Sequence, residues 1–255
     1  MEESFDKFEK WYKSYRDIFN PDSEIDLRQY LTTEPNRKVS IPQLHYISAL
    51  ISKEAYNDPD DRELTIGKFD IDRRYNTTRT TVYRDYQNTF IIGIRGTANS
   101  FIDLLTDSLI AVGKNNLSIR KDRQVKYIKE IIEELESEGY DTNGSIITGH
   151  SLGGLLITHV LEEIPAVLGI GFNTGSSPLQ SKPLSNYLIN RPVLLRAEDQ
   201  RRFINYLVKG DLISLSSKYL YKDSIEIIPN PPAKNALEAH KISFLIKNIQ
   251  PFPEL

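Results

Sequence analysis

The run GSIITGHSLGGLLITHVLEEIP, residues 144 to 165, leaves this chain few ways to fold. A short β-favouring stretch stops on Gly149, and from Leu152 apolar residues recur at helical spacing until Pro165 ends them. A strand therefore passes directly into a helix through Gly149-His150-Ser151-Leu152-Gly153, a G-x-S-x-G pentapeptide. By composition alone about one chain of this length in ten carries such a pentapeptide. Its flanks and the rest of the chain must decide whether it is a catalytic elbow or a glycine turn with a serine as helix N-cap.

The same strand-then-helix alternation recurs around it. IPQLHYISALISKEAY, 41 to 56, reads as a helix ended by NDPDDRE. Runs at 78–86 and 89–95, split by Gln87-Asn88, predict a hairpin whose second strand, Phe90 to Ile94, is apolar throughout and so buried on both faces. Residues 118 to 138 carry Val125, Ile128, Ile132 and Leu135 on one helical face, with Gly139 as the stop. Further strands are expected at 167–172, 202–209 and 224–229. The fold class that follows is α/β, with a mainly parallel central sheet and helices on both faces.

Charge and composition narrow the function classes. The formal net charge of the 255-residue chain is −3, and its basic clusters, RKDRQVK and DQRRF, are interrupted by acids, so nucleic acid is not expected as a partner. The chain has no cysteine, which removes disulfides and thiolate chemistry and suits a reducing compartment. MEESFDKFEKWYKSYRD lacks an apolar signal core, and no apolar run nears the length of a membrane span. A cytoplasmic protein with no transmembrane segment is the expectation. Phe5, Phe8, Tyr12, Tyr15 and Phe19 form an aromatic helical stripe that either packs on the chain's own domain or docks on a membrane or partner. Residues 1–40 read as an N-terminal helical extension and 41–255 as the main domain.

A serine on a strand-to-helix elbow needs a base, an acid behind the base, and two N–H donors for the oxyanion. The chain has four histidines. His45 lies far upstream, His150 inside the elbow with its side chain expected to point away from the serine, and His159 about 12 Å along the following helix. His240 remains, in NALEAHKISFLI, expected at the start of a terminal helix. For the acid, Asp211 directly follows an apolar strand and a glycine turn in RRFINYLVKGDLISL; Glu198 and Asp199 precede that strand, and Asp223 is a third choice. The N–H of Leu152 and that of Thr97, after Arg95-Gly96, are the candidate oxyanion donors. No metal or cofactor is called for.

With these elements in place the chain resembles the class 3 lipase family, the fungal-triacylglycerol-lipase-like branch of the α/β hydrolases. The resemblance rests on SALISKEAY, IIGIRGTANSFIDLLTD, IITGHSLGGLL, YLVKGDLISL and LEAHKISFLI, running from about residue 45 to 246. It departs in having Leu104 after Asp103, where the family has an aromatic, and LISLSS in place of a proline-bearing pattern after Gly210-Asp211. The disulfides of secreted members are absent. The resemblance implies an α/β-hydrolase fold with Ser151 as nucleophile, Asp211 as acid, His240 as base, and Thr97 with Leu152 as the oxyanion hole. It implies an ester hydrolase acting on acyl lipids, with transient contact with a lipid surface. A phospholipase or lysophospholipase, a small-ester esterase, and a catalytically silent hydrolase-fold binding protein are the alternatives. SFIDLLTDSLIAV, with Phe101, Leu105, Leu109 and Val112 on one face, stands where secreted members carry a lid helix; it is either such a lid or a helix packed permanently on the core.

Overall fold

The computed structural model describes residues 38–97, 115–175, 202–211, 214, 217 and 224–252, the side chains of 115–119 excepted. The elements run β1 (Val39–Ile41), α1 (Gln43–Glu54), β2 (Thr65–Ile66), β3 (Phe69–Ile71), β4 (Thr80–Arg84), β5 (Phe90–Ile94) and α2 (Asn115–Ser137). They continue with β6 (Ile146–His150), α3 (Leu152–Glu163), β7 (Leu168–Phe172), β8 (Phe203–Val208), β9 (Ser224–Ile227), α4 (Ala236–His240), α5 (Ile242–Asn248) and β10 (Ile249–Pro251). The expected helices over 5–19 and 100–112 lie outside the described residues.

Among the described residues β2 to β9 form one eight-stranded sheet in sequence order. β2 through β5 pair antiparallel, including the expected β4–β5 hairpin, where Asn88 takes the positive φ that its turn requires. From β5 to β9 every pairing is parallel. This is the mainly parallel α/β sheet that the alternation predicts, compatible with the α/β-hydrolase fold that the resemblance implies. In a strand, neighbouring side chains point to opposite faces, so the fully apolar β5 feeds two cores. Phe90, Ile92 and Ile94 pack with Val125 and Ile128 of α2 and with Leu156 and Ile157 of α3. Ile91 packs on the other side with Ile47 and Ile51 of α1 and Leu245 of α5. The helices thus cover both faces and leave the carboxyl ends of the parallel strands to carry a site, the usual position in open α/β sheets.

Two features differ from expectation or go beyond it. β1 and β10 pair in parallel, with Val39 opposite Ile249, and β1 straddles the expected 40/41 domain boundary. Three-residue strands are too short to show a period in sequence. His240 does not start a terminal helix: it ends the five-residue α4, and Lys241, extended at φ −63° and ψ 130°, separates it from α5. Asn235 caps α4 by accepting from the Glu238 N–H. No helix among the described residues is long and apolar enough to cross a membrane.

Candidate active site

The central element is the junction of β6 and α3. Ser151 takes φ 58° and ψ −123°, a conformation that costs a non-glycine residue on the order of 1–3 kcal/mol. The neighbouring main chain holds it there: Ser151 N–H donates to Phe172 O at 3.1 Å, and Gly175 N–H donates to Ser151 O at 2.9 Å. Gly153 lets α3 lie directly against β5, since a Cβ on it would collide with the Ile94 carbonyl. The expected elbow is therefore present, with the serine at the strand's carboxyl end and the N-terminus of α3, a source of unpaired N–H groups, beginning at Leu152.

Asp211 arrives by a turn after β8. Gly210 supplies φ 96°, and the Asp211 N–H closes the turn on Val208 O at 3.1 Å. Its carboxylate Oδ2 accepts from two sides: His240 Nδ1 at 2.8 Å and the Ser214 hydroxyl at 2.6 Å. With Nδ1 donating to the carboxylate, the neutral imidazole leaves Nε2 bare, and Nε2 lies 3.0 Å from Ser151 Oγ. All three side chains are buried. Ser151, His240 and Asp211, the three residues the sequence singled out, are thus brought into one hydrogen-bonded line. Glu198, Asp199 and Asp223 lie outside the described residues.

The segment Arg95-Gly96-Thr97 leaves β5 alongside the elbow; a Cβ on Gly96 would lie 2.6 Å from His150 O. Arg120 of α2 holds this segment, its Nη2 donating to Arg95 O at 2.9 Å and to Gly96 O at 3.3 Å. Thr97 Oγ1 is buried with no hydrogen-bond partner. A group so placed is costly unless something completes it. The other histidines fall outside this line. His45 Nδ1 meets the Tyr206 hydroxyl at 2.7 Å, and burial pushes its pKa down to about 3. His159 pairs with Glu162 of its own helix at 3.3 Å.

Three contributors escaped the sequence reading. Ser214 is the second donor to the acid. Asn173, at φ 44° just past β7, donates from Nδ2 to Ala239 O and His240 O and accepts at Oδ1 from the Val208 N–H at 2.8 Å. His150 turns its Nε2 to the His240 carbonyl at 2.6 Å. Their one sequence signal is position, since His150 and Asn173 sit at the carboxyl ends of adjacent central strands. Among the described residues no group of three or more His, Asp or Glu side chains is arranged to hold a metal ion. A scan against protein-family models finds no match to this chain, and a search of curated proteins finds none either.

Proposed function

We propose that this chain is a serine carboxylic-ester hydrolase of the class 3 lipase type, cleaving acyl-lipid esters. The observation that carries the reading is the unbroken line Ser151 Oγ, His240 Nε2, His240 Nδ1, Asp211 Oδ2, at 3.0 and 2.8 Å, mounted on a strained elbow. A serine hydroxyl is a poor nucleophile until a base takes its proton, and His240 is placed to take it. Ser151 Oγ would bond to the acyl carbon as its proton passes to His240 Nε2, and the carbonyl π electrons would move onto oxygen. The N–H groups of Thr97 and Leu152 would receive that charge, reinforced by the dipole of α3. Collapse would expel the alcohol, which takes the proton from His240. Water, deprotonated by the same imidazole, would then release the fatty acid and restore Ser151. Asp211 would hold the tautomer and stabilise the imidazolium.

The proposed substrate is met at a lipid surface, and the cysteine-free chain suits a cytoplasmic setting. The test is titration with a fluorophosphonate, read by intact mass. One adduct per chain, absent from Ser151→Ala, is expected. Micellar acyl esters should then be turned over faster than soluble short-chain esters. A folded chain that takes up no probe, with or without detergent, would remove the hydrolase reading in favour of a binding protein.

A further inference from the structure

The proposed triad leaves a second buried histidine beside it without a task. The His150 ring centroid is 4.8 Å from that of His240, and its Nε2 is 2.6 Å from the His240 carbonyl oxygen. A carbonyl only accepts, so Nε2 carries the proton and donates. Burial first, and then the neighbouring His240 charge, drive the His150 pKa down to about 3, so the ring is neutral and its Nδ1 is bare. Nδ1 accepts from the Tyr56 hydroxyl at 2.9 Å. The Tyr56 hydroxyl packs against Gly96, the residue before Thr97, where a Cβ would collide with its oxygen. A single line of donors therefore runs from Tyr56 O–H through His150 Nε2–H to the main chain of His240.

That main chain needs holding. α4 is five residues long, too short to be stable by its own hydrogen bonds, and the chain leaves helical geometry at Lys241 directly after the base. Asn173 grips it from one side, with Nδ2 at 2.9 Å from Ala239 O and 3.1 Å from His240 O. His150 grips it from the other. A histidine serving only to fill space would need its bulk alone; here both ring nitrogens are engaged, by partners on different elements.

We infer that His150 is a positioning residue for His240: through Nε2–H, fixed in one tautomer by Tyr56, it sets the main chain from which the base reaches Ser151. This rests on the triad reading above.

The experiment compares His150→Phe, which keeps the bulk and loses both nitrogens, with His150→Gln, whose amide offers a donor and an acceptor in their place. Two quantities are read on the full chain: the low-field proton resonance of His240 Nδ1–H held by Asp211, assigned by its loss in His240→Ala, and the rate of fluorophosphonate labelling. The resonance should vanish by exchange in His150→Phe and return in His150→Gln. Labelling should slow by about 10- to 100-fold in the first and recover to within about threefold of wild type in the second. A His150→Phe protein with wild-type resonance and rate overturns the inference, as does an equal loss in both variants. If His150→Phe does not fold, Tyr56→Phe decides: it removes the donor that fixes the tautomer, and an unchanged resonance and rate overturn the proposal. A wild-type spectrum lacking the resonance also overturns it. Should wild type show the resonance yet fail to label, the hydrolase reading falls and the resonance alone judges His150.

Discussion

Gly149 and Gly153 meet main chain to main chain: a Cβ on Gly149 would lie 2.7 Å from the Gly153 carbonyl carbon. Backbone cannot yield as a flexible side-chain tip can, so Gly149→Ala must push α3 away from β6. The expected cost is about 1–3 kcal/mol, that of overpacking a close-fitted interior. Because Ser151 sits between the two elements, labelling should slow as well. Urea unfolding checks the first and probe kinetics the second; a variant of wild-type stability would show that the junction has slack.

Removing a member of the proposed triad should cost far more activity than stability. Ser151→Ala and His240→Ala are each expected to lower ester turnover by about 10⁴-fold or more, and the double variant hardly further, since the groups act as a unit. Asp211→Asn should fall in the same range by favouring the wrong imidazole tautomer. Initial rates on a micellar ester, beside a thermal melt of each variant, make the comparison. Substantial turnover in either alanine variant would refute the assignment.

Arg120 offers a test of the proposed oxyanion loop that leaves the proposed triad untouched. Its guanidinium holds the Arg95 and Gly96 carbonyls, whose peptide planes set where the Gly96 and Thr97 N–H groups point. Arg120→Lys should lower kcat about tenfold with KM little changed, because an oxyanion donor acts in the transition state. A loss confined to KM would instead place Arg120 in substrate binding.

The pH dependence of folding follows from two buried neutral histidines. In the folded chain burial lowers His45 and His150 from the ordinary 6.5 to about 3. Between those values the unfolded chain binds protons that the folded chain does not. Stability supplied by each is therefore complete above 6.5 and lost as pH falls toward about 3, at about 1.4 kcal/mol per pH unit for each group. Urea unfolding of wild type and His45→Leu from about pH 6 to pH 4 should differ in slope by one such amount. Parallel curves would mean that His45 titrates alike in both states.

The elbow, the parallel order of the sheet and the Ser151–His240–Asp211 candidates were legible because they write themselves locally. A strand, two glycines and a helix are contiguous, and four histidines could be sorted by their distance from the serine. What escaped was tertiary. Tyr56 reaches His150 across 94 positions and Asn173 reaches His240 across 67, with no periodicity to announce either contact. The placing of His240 at the end of α4 was missed for a related reason: the sequence puts it at the start of a terminal helix, and only the extended backbone of Lys241 reveals the break that separates α4 from α5.

The order of the segments has a temporal consequence. Ser151 precedes its facing histidine by 89 residues, and α5 runs straight into β10, which closes on β1. A chain made from its N-terminus holds β5, the elbow and β7 before the segment bearing His240 exists. Until that segment docks, the hydroxyl has no partner to take its proton and stays inert. Under the proposed chemistry the nascent chain is thus its own safeguard, since the serine is armed only when the segment bearing His240 docks.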